Sequence, residues 1–383
     1  MEVLFWSAIA LVAYTYVGYP LLLAAVTRLR PRVLNSGSWQ PPVTVIVAAY
    51  NEEKDIAHKL EMLLAVEYPH ELLQILVASD HSTDRTHEIV EGFAARGVEL
   101  LVLPERGGKT AAQNYAATRA RGDILIFTDA TTLFAPTVVQ KLVEPFVDQG
   151  VGCAGAQLVY QSETGTAVGR GGGLYWRYET LVKKLESQAN SLIGVSGALY
   201  AVRKDLYRPI EPELISDFVI ALDTFARGQV TVYAPDAMAY EKTLEEADRE
   251  FRMRTRVIVR SINALVHRWR ILNPFKYGFF AVQVFSHKVL RYLVPEVLIV
   301  ALLASAWLAA QHSERAWFYQ VLLVLQLLLY LGVPLAYAVA RRLNLNTRLL
   351  SAPFYFVHAN AAAFWASVSY LRGVRAVTWT TVR

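Results

Sequence analysis

Two aspartates follow short apolar runs in this sequence, where a carboxylate can take part in binding chemistry. Asp80 comes directly after Leu73–Ser79, and Asp129 comes directly after Ile124–Thr128. An Asp in this position is often a turn or capping residue. Carboxylate oxygens are also the ligands that hard divalent cations prefer, and such a cation would neutralise charge on a departing diphosphate. The sequence therefore offers Asp129 as a cation ligand, with a turn residue as the alternative.

Both aspartates are brought to one place if the surrounding segment folds as alternating strands and helices. Between Pro41 and Arg270, short β-branched runs alternate with helical patterns. This alternation predicts right-handed βαβ units and a mainly parallel sheet, which is an α/β fold. Ligands bind beyond the carboxyl ends of the strands in such sheets, where both aspartates would lie. The predicted strands are Val43–Ala49, Leu73–Ser79, Leu100–Leu103 and Ile124–Thr128.

A Walker-type phosphate-binding loop is not predicted. Gly108-Lys109-Thr110 resembles the end of that motif, but the motif requires a glycine at the position of Leu103. No predicted strand leads directly into this segment. A Walker-type ATPase is therefore excluded.

The composition indicates that part of the chain lies in lipid. Of the 383 residues, 54% are hydrophobic and only 19% are charged, whereas soluble proteins have about a quarter charged residues. The net charge of +5 does not indicate nucleic-acid binding, because the excess Lys and Arg flank apolar stretches, where they set topology and contact anionic headgroups. The single cysteine, Cys153, excludes a disulfide framework and a thiolate-rich zinc site.

A membrane anchor is predicted at residues 1–27. The run Val3–Val26 has no charged residue and is long enough to cross a bilayer. A signal peptide fits less well, because it would have a basic start and a shorter apolar run. Arg28 and Arg30 follow the run. The positive-inside rule then puts the globular segment 41–270 in the cytoplasm of a multi-pass protein of the cell membrane.

Further membrane segments are predicted within 293–371. Leu293–Ala310 and Trp317–Ala340 are apolar, and their basic flanks obey the positive-inside rule. The preceding residues, 274–290, mix aromatic and basic side chains and are predicted to form an amphipathic helix in the headgroup plane. An ordinary amphipathic core helix is the alternative.

A third C-terminal span is predicted at 352–370. This stretch is rich in small residues and carries His358 and Asn360, which suit a face packed on other helices. If it crosses, Arg372 and Arg375 lie outside, against the positive-inside rule. A re-entrant or interfacial segment is therefore the alternative.

Seven motifs occur in a fixed order between Val45 and Val257. They are VIVAAYNEE at Val45–Glu53, SDHSTDRT at Ser79–Thr86, GKTAAQN at Gly108–Asn114, FTDAT at Phe127–Thr131, SGALY at Ser196–Tyr200, ISD at Ile215–Asp217 and MRTRV at Met253–Val257. This ordered set resembles the motifs of family 2 glycosyltransferases of the GT-A fold, the superfamily of cellulose, hyaluronan and chitin-oligosaccharide synthases. An N-terminal anchor, a catalytic block, an interfacial helix and C-terminal spans are also the layout of the family's membrane synthases.

The resemblance implies a Rossmann-like GT-A catalytic domain that binds a nucleotide-sugar, expected to be a UDP-sugar. Asp80 would face the nucleobase or ribose, and Asp129, from the DxD-type motif, would hold Mn²⁺ or Mg²⁺. The residues implied to bind the nucleotide-sugar are Ala49, Asn51, Glu52, Asp80, Lys109, Asn114, Thr128 and Asp129.

The resemblance also assigns catalytic and acceptor residues. Asp217 would be the catalytic base, with a helix-start residue as the alternative, and Arg256 would stabilise the leaving diphosphate, with headgroup contact as the alternative. Gly197 and Ala198 would line the acceptor side. Trp176 is a further candidate, because an aromatic ring can stack on a sugar, although such residues are usually core or membrane-interface residues.

Four positions depart from the family's motifs. His81 stands where a glycine is usual, and Thr131 replaces the second acid of the DxD motif. Met253 and Val257 replace the Gln and Trp of the Gln-x-x-Arg-Trp motif. Metal affinity and processive synthesis are the properties that these departures affect.

The implied function is inverting transfer of a sugar to a lipid-linked or polymeric glycan acceptor in polysaccharide biosynthesis. A processive synthase of the same family is the close alternative. The departures from the motifs also fit an inactive, nucleotide-binding membrane scaffold, whereas a transporter is disfavoured by the few predicted spans. Donor, acceptor and membrane lipids are the expected partners, a second copy or an export protein is left open, and nucleic acid is not expected.

Overall fold

The computed structural model describes residues 1–30, 32, 37, 39–161, 167–242, 246–343, 345 and 347–375, with side chains described outside 161–172. Within these ranges the globular block is built on one mixed sheet. Its strands are β1 Val43–Ala49, β2 Leu73–Ser79, β3 Val98–Val102, β4 Ile124–Asp129, β5 Leu133–Phe134, β6 Val151–Gln161, β7 Leu199–Arg203 and β8 Val230–Lys242.

The order of strands in the sheet is β3-β2-β1-β4-β7-β6-β8-β5. β3, β2, β1 and β4 are parallel neighbours, and β7 is antiparallel to both β4 and β6. β6 pairs in parallel with β8, and the short β5 is antiparallel to β8. This topology confirms the predicted α/β fold of GT-A type. β3 begins at Val98 rather than at the predicted Leu100, because Val98 already pairs with Ile75.

Helices cover both faces of the sheet and extend beyond it into three long apolar rods. The helices of six or more residues in the described ranges are Glu2–Ala13, Tyr19–Leu29, Ile56–Leu64, Thr86–Glu91, Lys109–Ala117, Val138–Val143, Ala167–Ala189, Ser216–Ala226, Ala247–His267, Phe279–Val284, Arg291–Ala309, Ala316–Leu327, Val333–Arg342 and Ser351–Leu371. Single π-helical turns at Tyr14–Gly18, Phe285–Leu290 and Leu328–Gly332 join consecutive helices into the rods.

The alternation of side chains along β1 divides the core into two layers. Val45 and Val47 pack in one layer with the helices Ile56–Leu64 and Val138–Val143. Ile46 points to the other face, where the layer includes residues of Lys109–Ala117 and Ser216–Ala226. β1 is buried along its whole length, as expected for a parallel strand covered on both faces.

In the part of the chain that the structure describes, three helices are long and apolar enough to cross a membrane. They are Glu2–Leu29, Phe279–Ala309 and Ala316–Arg342, and they coincide with the predicted anchor and the two clear C-terminal spans. The first and second pack together through Phe5 and Ala301.

The segment predicted as an interfacial helix, 274–290, is largely continuous with the span that follows. The chain turns at Gly278, with φ 54°, and then runs as one helix over Phe279–Ala309. Phe280 is fully buried, and its ring stacks on Phe225 of the globular block with centroids 3.9 Å apart. These contacts favour the alternative of a helix packed on the core.

The third predicted span, 352–370, forms the helix Ser351–Leu371, which is not among the three candidate spans of the described chain. It packs along Ala247–His267, with Ala363 and Ala366 against Ile258 and Val259. This small-residue contact joins the helix to the catalytic block, and whether the helix crosses the membrane stays a prediction.

Candidate active site

A cavity of about 550 Å³ opens where β1 and β4 end. The parallel register sets Ala48 beside Asp129, so the carboxyl ends of these strands meet at one edge, as the fold class predicts. The cavity is lined by Lys109, Asp129 and Asp217 on this side, and it continues towards the long apolar helices.

Lys109 connects the two aspartates that line the cavity. Its Nζ forms an ion pair with Asp129 and donates a hydrogen bond of 2.9 Å to the carbonyl oxygen of Gly197. A Cβ atom at position 197 would lie 2.8 Å from Oδ2 of Asp217 and 3.4 Å from Nζ of Lys109. Glycine at 197 therefore lets the carboxylate of Asp217 approach the same loop that Lys109 binds.

Asp217 lies in the first turn of Ser216–Ala226 and does not cap the helix by a side-chain hydrogen bond. A first-turn acid also suits the helix dipole, so this position fits the helix-start alternative as well as the predicted catalytic role. Burial raises the pKa of the Asp217 carboxyl, while the positive charges of Lys109, Lys288, Arg260 and Lys183 oppose that rise. A buried carboxylate with a raised pKa is suited to accept a proton from a hydroxyl group.

Unlike Arg254 and Arg260, Arg256 forms no hydrogen bond or ion pair with the described residues. Arg254 pairs with Glu250 and also donates to Tyr355. Arg260 donates to Oγ1 of Thr110 and to the carbonyl oxygens of Pro212 and Leu214. Arg256 lines the cavity, and its principal charged neighbour is Asp129. Its guanidinium is therefore available for a ligand near Asp129.

Two charged residues near Asp129 were not predicted from the sequence. Lys59 is fully buried and donates to Oγ1 of Thr128 at 3.0 Å and to the carbonyl of Thr132 at 2.6 Å. Burial lowers its pKa to about 7. Oε1 of Glu241 accepts a hydrogen bond of 3.0 Å from Thr132, and burial together with the charge of Asp129 raises the pKa of Glu241 to about 7.

Of these two residues, only Lys59 has a local sequence pattern that could have indicated its burial. Ile56, Lys59, Leu60 and Leu63 share the buried face of their helix, so a lysine occupies an apolar-face position. Glu241 is 109 residues from its partner Thr132, and no local pattern relates them.

The carboxylates of Asp129 and Glu241 both line the cavity, and the charge of Asp129 contributes to the raised pKa of Glu241. No cluster of three or more His, Cys, Asp or Glu side chains occurs among the described residues. Two like charges in a partly buried site repel each other, and a hard cation between carboxylate oxygens would relieve that repulsion. The residues present thus fit a cation that takes further oxygen ligands from a bound diphosphate.

The predicted nucleotide loop, at Val45–Glu53, is fixed by hydrogen bonds to the motif at Ser79–Thr86. The backbone N–H of Asn51 donates to Ser82, and that of Glu52 donates to Thr86. Oδ1 of Asn51 accepts from the N–H of Thr83 at 2.8 Å, and Asn51 has a positive φ of 54°. Glu52 lines the cavity, whereas Asn51 does not.

Asp80 follows β2 as predicted, and its carboxylate binds backbone groups of the neighbouring loop. It is fully buried, and its carboxylate accepts hydrogen bonds from the N–H groups of Gly107 at 2.7 Å and Gly108 at 3.0 Å. These bonds position Lys109 one residue later. The structure therefore supports a role in shaping the Lys109 loop, and the expected contact with nucleobase or ribose stays a prediction.

Three other predicted donor residues do not line the cavity. Asn114 is engaged by Tyr207, whose hydroxyl donates to Oδ1 at 2.8 Å, and by the backbone of Ile210. Thr128 is fully buried above Lys59, and Ala49 is fully buried in β1. Their side chains are occupied by packing or internal hydrogen bonds, so we leave them out of the proposed donor site.

The predicted acceptor residues all contribute to the cavity wall. Gly197, Ala198 and Trp176 all line it. Trp176 stacks on Tyr160, with ring centroids 4.5 Å apart. An aromatic pair of this kind offers an apolar surface to the cavity.

Comparison with known proteins gives a consistent assignment. Residues 44–209 match the family model described as Glycosyl transferase family 2. An N-acetylglucosaminyltransferase from Rhizobium leguminosarum bv. trifolii is 33% identical over 129 residues, which are 32% of this chain and 70% of that protein. The probable glycosyltransferase YdaM of Bacillus subtilis is 24% identical over 231 residues, or 56% of this chain. The match spans only about half of YdaM, 54% of its length.

A solved structure is similar along almost the whole chain. The mannosyltransferase PcManGT from Pyrobaculum calidifontis, in complex with GDP-Man and Mn²⁺, superposes with a TM-score of 0.70. The superposition covers 96% of this chain and 99% of the other, with 24% sequence identity. At this identity the likeness shows a shared fold that includes the apolar helices.

Proposed function

Because the chain belongs to glycosyl transferase family 2, we propose that this membrane-associated enzyme transfers a sugar from a nucleotide-sugar to a lipid-linked or polymeric glycan, with inversion at the anomeric carbon. The donor, the acceptor and the stereochemistry are the proposed part. The relation of Asp217 to Asp129 carries the proposal: both line one cavity, and Lys109 lies between them.

Asp217 is proposed as the catalytic base. Its buried carboxylate would accept the proton of the acceptor hydroxyl while that oxygen forms a bond to the anomeric carbon. The bond from this carbon to the diphosphate oxygen breaks in the same step, and the nucleoside diphosphate leaves with the electron pair. Attack from the side opposite the leaving group gives inversion.

The diphosphate is proposed to bind on the other side of Gly197, near Asp129. Arg256 has no protein partner among the described residues and would donate hydrogen bonds to the phosphate oxygens, which stabilises the leaving group. Lys109 would exchange its ion pair with Asp129 for a contact with the same oxygens. Glu52, which lines the cavity, would contact the donor from the nucleotide loop.

Asp129 and Glu241 are proposed to hold a divalent cation, Mn²⁺ or Mg²⁺. When bound, the cation would supply Lewis-acid stabilisation of the diphosphate charge. Thr131 replaces the second acid of the usual motif, and Glu241, reaching the site from β8, would compensate for that loss.

The donor is proposed to be a nucleoside diphosphate sugar, with UDP-sugars first as the sequence motifs imply. The similar mannosyltransferase was solved with GDP-Man, which makes GDP-mannose a necessary member of any donor screen. The relative from Rhizobium is named for N-acetylglucosamine transfer, so UDP-N-acetylglucosamine belongs there too.

Addition of one or a few sugars is proposed over processive polymer synthesis. Met253 and Val257 line the cavity. They stand at the positions of the Gln and the Trp in the Gln-x-x-Arg-Trp motif of processive family members. An aromatic platform for the terminal sugar of a growing chain, worth about 0.5–1.5 kcal/mol beyond its burial, is therefore missing at 257.

The block 41–270 is proposed to face the cytoplasm. Arg28 and Arg30 end the first apolar helix, and Arg341 and Arg342 end the third, which suits the positive-inside rule. Nucleotide-sugars would then reach the cavity directly from the cytoplasm.

A donor screen with the purified full-length protein in detergent tests the proposed function. UDP-glucose, UDP-N-acetylglucosamine and GDP-mannose would each be incubated with Mn²⁺ or Mg²⁺ and a membrane lipid extract, and nucleoside diphosphate release and product mass would be measured. We expect release with one donor, absent in Asp217→Asn. Nucleotide binding without release from any donor would instead support an inactive scaffold, and a long ladder of products would support a processive synthase.

A further inference from the structure

The cavity does not end at Asp217 but continues between helices of the membrane region. Its lining there includes Tyr16 from Glu2–Leu29, Tyr292 from Phe279–Ala309, and Asn360 and Ala363 from Ser351–Leu371. Each of these helices contributes to the wall, so the space beyond Asp217 lies at the junction of the catalytic block and the apolar helices. A ligand in this space would have one end at the catalytic base and the other beside lipid.

Two lysines face this part of the cavity without an anionic partner. Lys183, from Ala167–Ala189, forms no hydrogen bond or ion pair with the described residues, and it lines the cavity. Lys288 also lines it; its Nζ lies 5.1 Å from the ring centroid of Phe218 and 5.9 Å from that of Tyr292, with no carboxylate within ion-pair distance among the described residues. Each ammonium group therefore keeps hydrogen-bond donors that the described residues do not use.

Two of the nearby carboxylates, Glu179 and Glu186, are already engaged by other groups. Glu179 is paired with Arg291 and His287. Glu186 accepts hydrogen bonds from Tyr19 at 2.5 Å and contacts His287 at 2.7 Å. The two lysines therefore remain as the cations of this region whose charge the described residues leave uncompensated at short range.

These lysines belong to the acceptor side rather than the donor side. Lys183 and Lys288 interact electrostatically with Asp217 and Glu179. Asp129 instead pairs with Lys109 and has Arg256 and Lys59 as further cationic neighbours. The donor diphosphate, placed at Asp129, thus has its own cations, and Lys183 and Lys288 are left for a second anionic group.

We propose that Lys183 and Lys288 bind the phosphate or diphosphate of a lipid-linked acceptor, whose hydrocarbon chain leaves the cavity between the apolar helices. The proposal rests on the glycosyl transfer proposed above and specifies its acceptor. An ammonium group binds phosphate oxygens by charge-assisted hydrogen bonds, whereas a neutral polysaccharide offers it only hydroxyl groups. A phosphate here would lie close to the sugar hydroxyl that Asp217 deprotonates, which suits an acceptor with few sugars between lipid and reacting group.

Binding of a short prenyl diphosphate tests the proposal without requiring catalysis. Full-length protein in neutral detergent would be titrated with farnesyl diphosphate, with farnesol and with inorganic pyrophosphate, in the absence of donor and divalent cation. We expect farnesyl diphosphate to bind at least about tenfold more tightly than either of the others, since it alone has both lipid and charge. Lys183→Met and Lys288→Met should each weaken its binding about tenfold, as expected for loss of a charge-assisted hydrogen bond.

Matched variants separate the loss of charge from a loss of structure. Lys183→Arg and Lys288→Arg keep a cation and should retain most of the binding. Lys184→Met and Lys276→Met remove exposed lysines of the same two segments and should leave binding unchanged. Detergent-solubilised size exclusion would verify that each variant is folded.

Three outcomes would overturn the proposal. Farnesol binding as tightly as farnesyl diphosphate would remove the role of the phosphate, and pyrophosphate binding as tightly would remove the role of the lipid. Displacement of farnesyl diphosphate by an equal concentration of phosphatidylglycerol would assign the lysines to bulk headgroups. Because these measurements use no donor, failure of sugar transfer in the donor screen leaves them intact, and the reverse also holds.

Discussion

Gly197 lies so close to Asp217 that a Cβ atom at 197 would be 2.8 Å from Oδ2 of the carboxylate. Contacts this short do not persist, so the carboxylate or the loop would have to move. Lys109, whose Nζ would be 3.4 Å from the same Cβ, also limits the available space. The absence of a side chain at position 197 therefore helps to position the proposed base.

Gly197→Ala should lower turnover about 10²-fold, the loss expected for a displacement of roughly 1 Å in a catalytic group. Gly173→Ala is the matched control, because a Cβ there meets no atom within 4 Å. Steady-state kinetics with the donor found in the screen would measure both. Wild-type turnover in Gly197→Ala would show that the contact does not position Asp217.

Asp217→Asn should reduce turnover by about 10²–10⁴-fold and leave nucleotide binding nearly unchanged, since the change removes a proton acceptor but adds little bulk. Turnover and nucleotide affinity would be measured on the same preparation. Asp223→Asn, farther along the same helix, is a poor control because Asp223 pairs with Arg268. Asp205→Asn is better, since Asp205 lies in an exposed turn. More than a tenth of wild-type turnover in Asp217→Asn would place the base elsewhere.

Activity should require a divalent cation, and Glu241 should contribute to its affinity. Excess chelator should abolish transfer, and Asp129→Ala should not be rescued by added Mn²⁺. Glu241→Gln should raise the Mn²⁺ concentration for half-maximal activity about 10–100-fold, as for loss of a group that ligates or orients a metal. The exposed Glu71→Gln serves as control. Unchanged activity in chelator would refute the proposed metal role.

The acid limb of the activity profile should lie above the ordinary pKa of an aspartate. The base works only when ionised, and burial raises its pKa in the folded protein, so activity is lost at a higher pH than for an exposed carboxylate. Lys183 opposes that rise. Lys183→Met should therefore move the acid limb of kcat/KM to higher pH, while Lys184→Met should not. A limb that moves to lower pH, or stays in place, would contradict this assignment.

Cysteines introduced on the two sides of the membrane should report the proposed topology. Ala95→Cys, in an exposed turn of the globular block, should resist an impermeant thiol reagent in intact cells. Ser313→Cys, in the exposed connection between the second and third apolar helices, should be labelled. Cys153 is fully buried and needs no replacement. The reverse labelling pattern would put the catalytic block outside.

The sequence predicted the strands of the first half of the sheet well, because continuous β-branched runs are typical of buried parallel strands. It also predicted that Asp129, Lys109, Asp217 and Arg256 share a site, and the cavity contains all four. The motif order made this possible, since local motifs at strand ends are brought to one edge by the topology.

Other parts of the site depend on tertiary contacts that no local pattern encodes. Asp80 looks like a ligand-binding residue in its motif, yet the structure uses its carboxylate to hold Gly107 and Gly108. Glu241 joins Asp129 only because β8 runs beside β5 and β6. His81 takes a positive φ of 61°, the conformation for which glycine is usual, so this departure from the motif preserves the backbone.

The contacts among Arg254, Glu250 and Tyr355 bear on whether the catalytic block can be produced without the membrane helices. Tyr355 and His358 of the Ser351–Leu371 helix contact Glu250, two turns before Arg256 on the same helix. Excising 41–270 would leave Glu250 and Arg254 without these partners and would expose Ile258 and Val259, which pack on Ala363 and Ala366. A soluble fragment cut at residue 270 should therefore aggregate or lose the placement of Arg256. We therefore expect the catalytic block and the Ser351–Leu371 helix to unfold together as one cooperative unit.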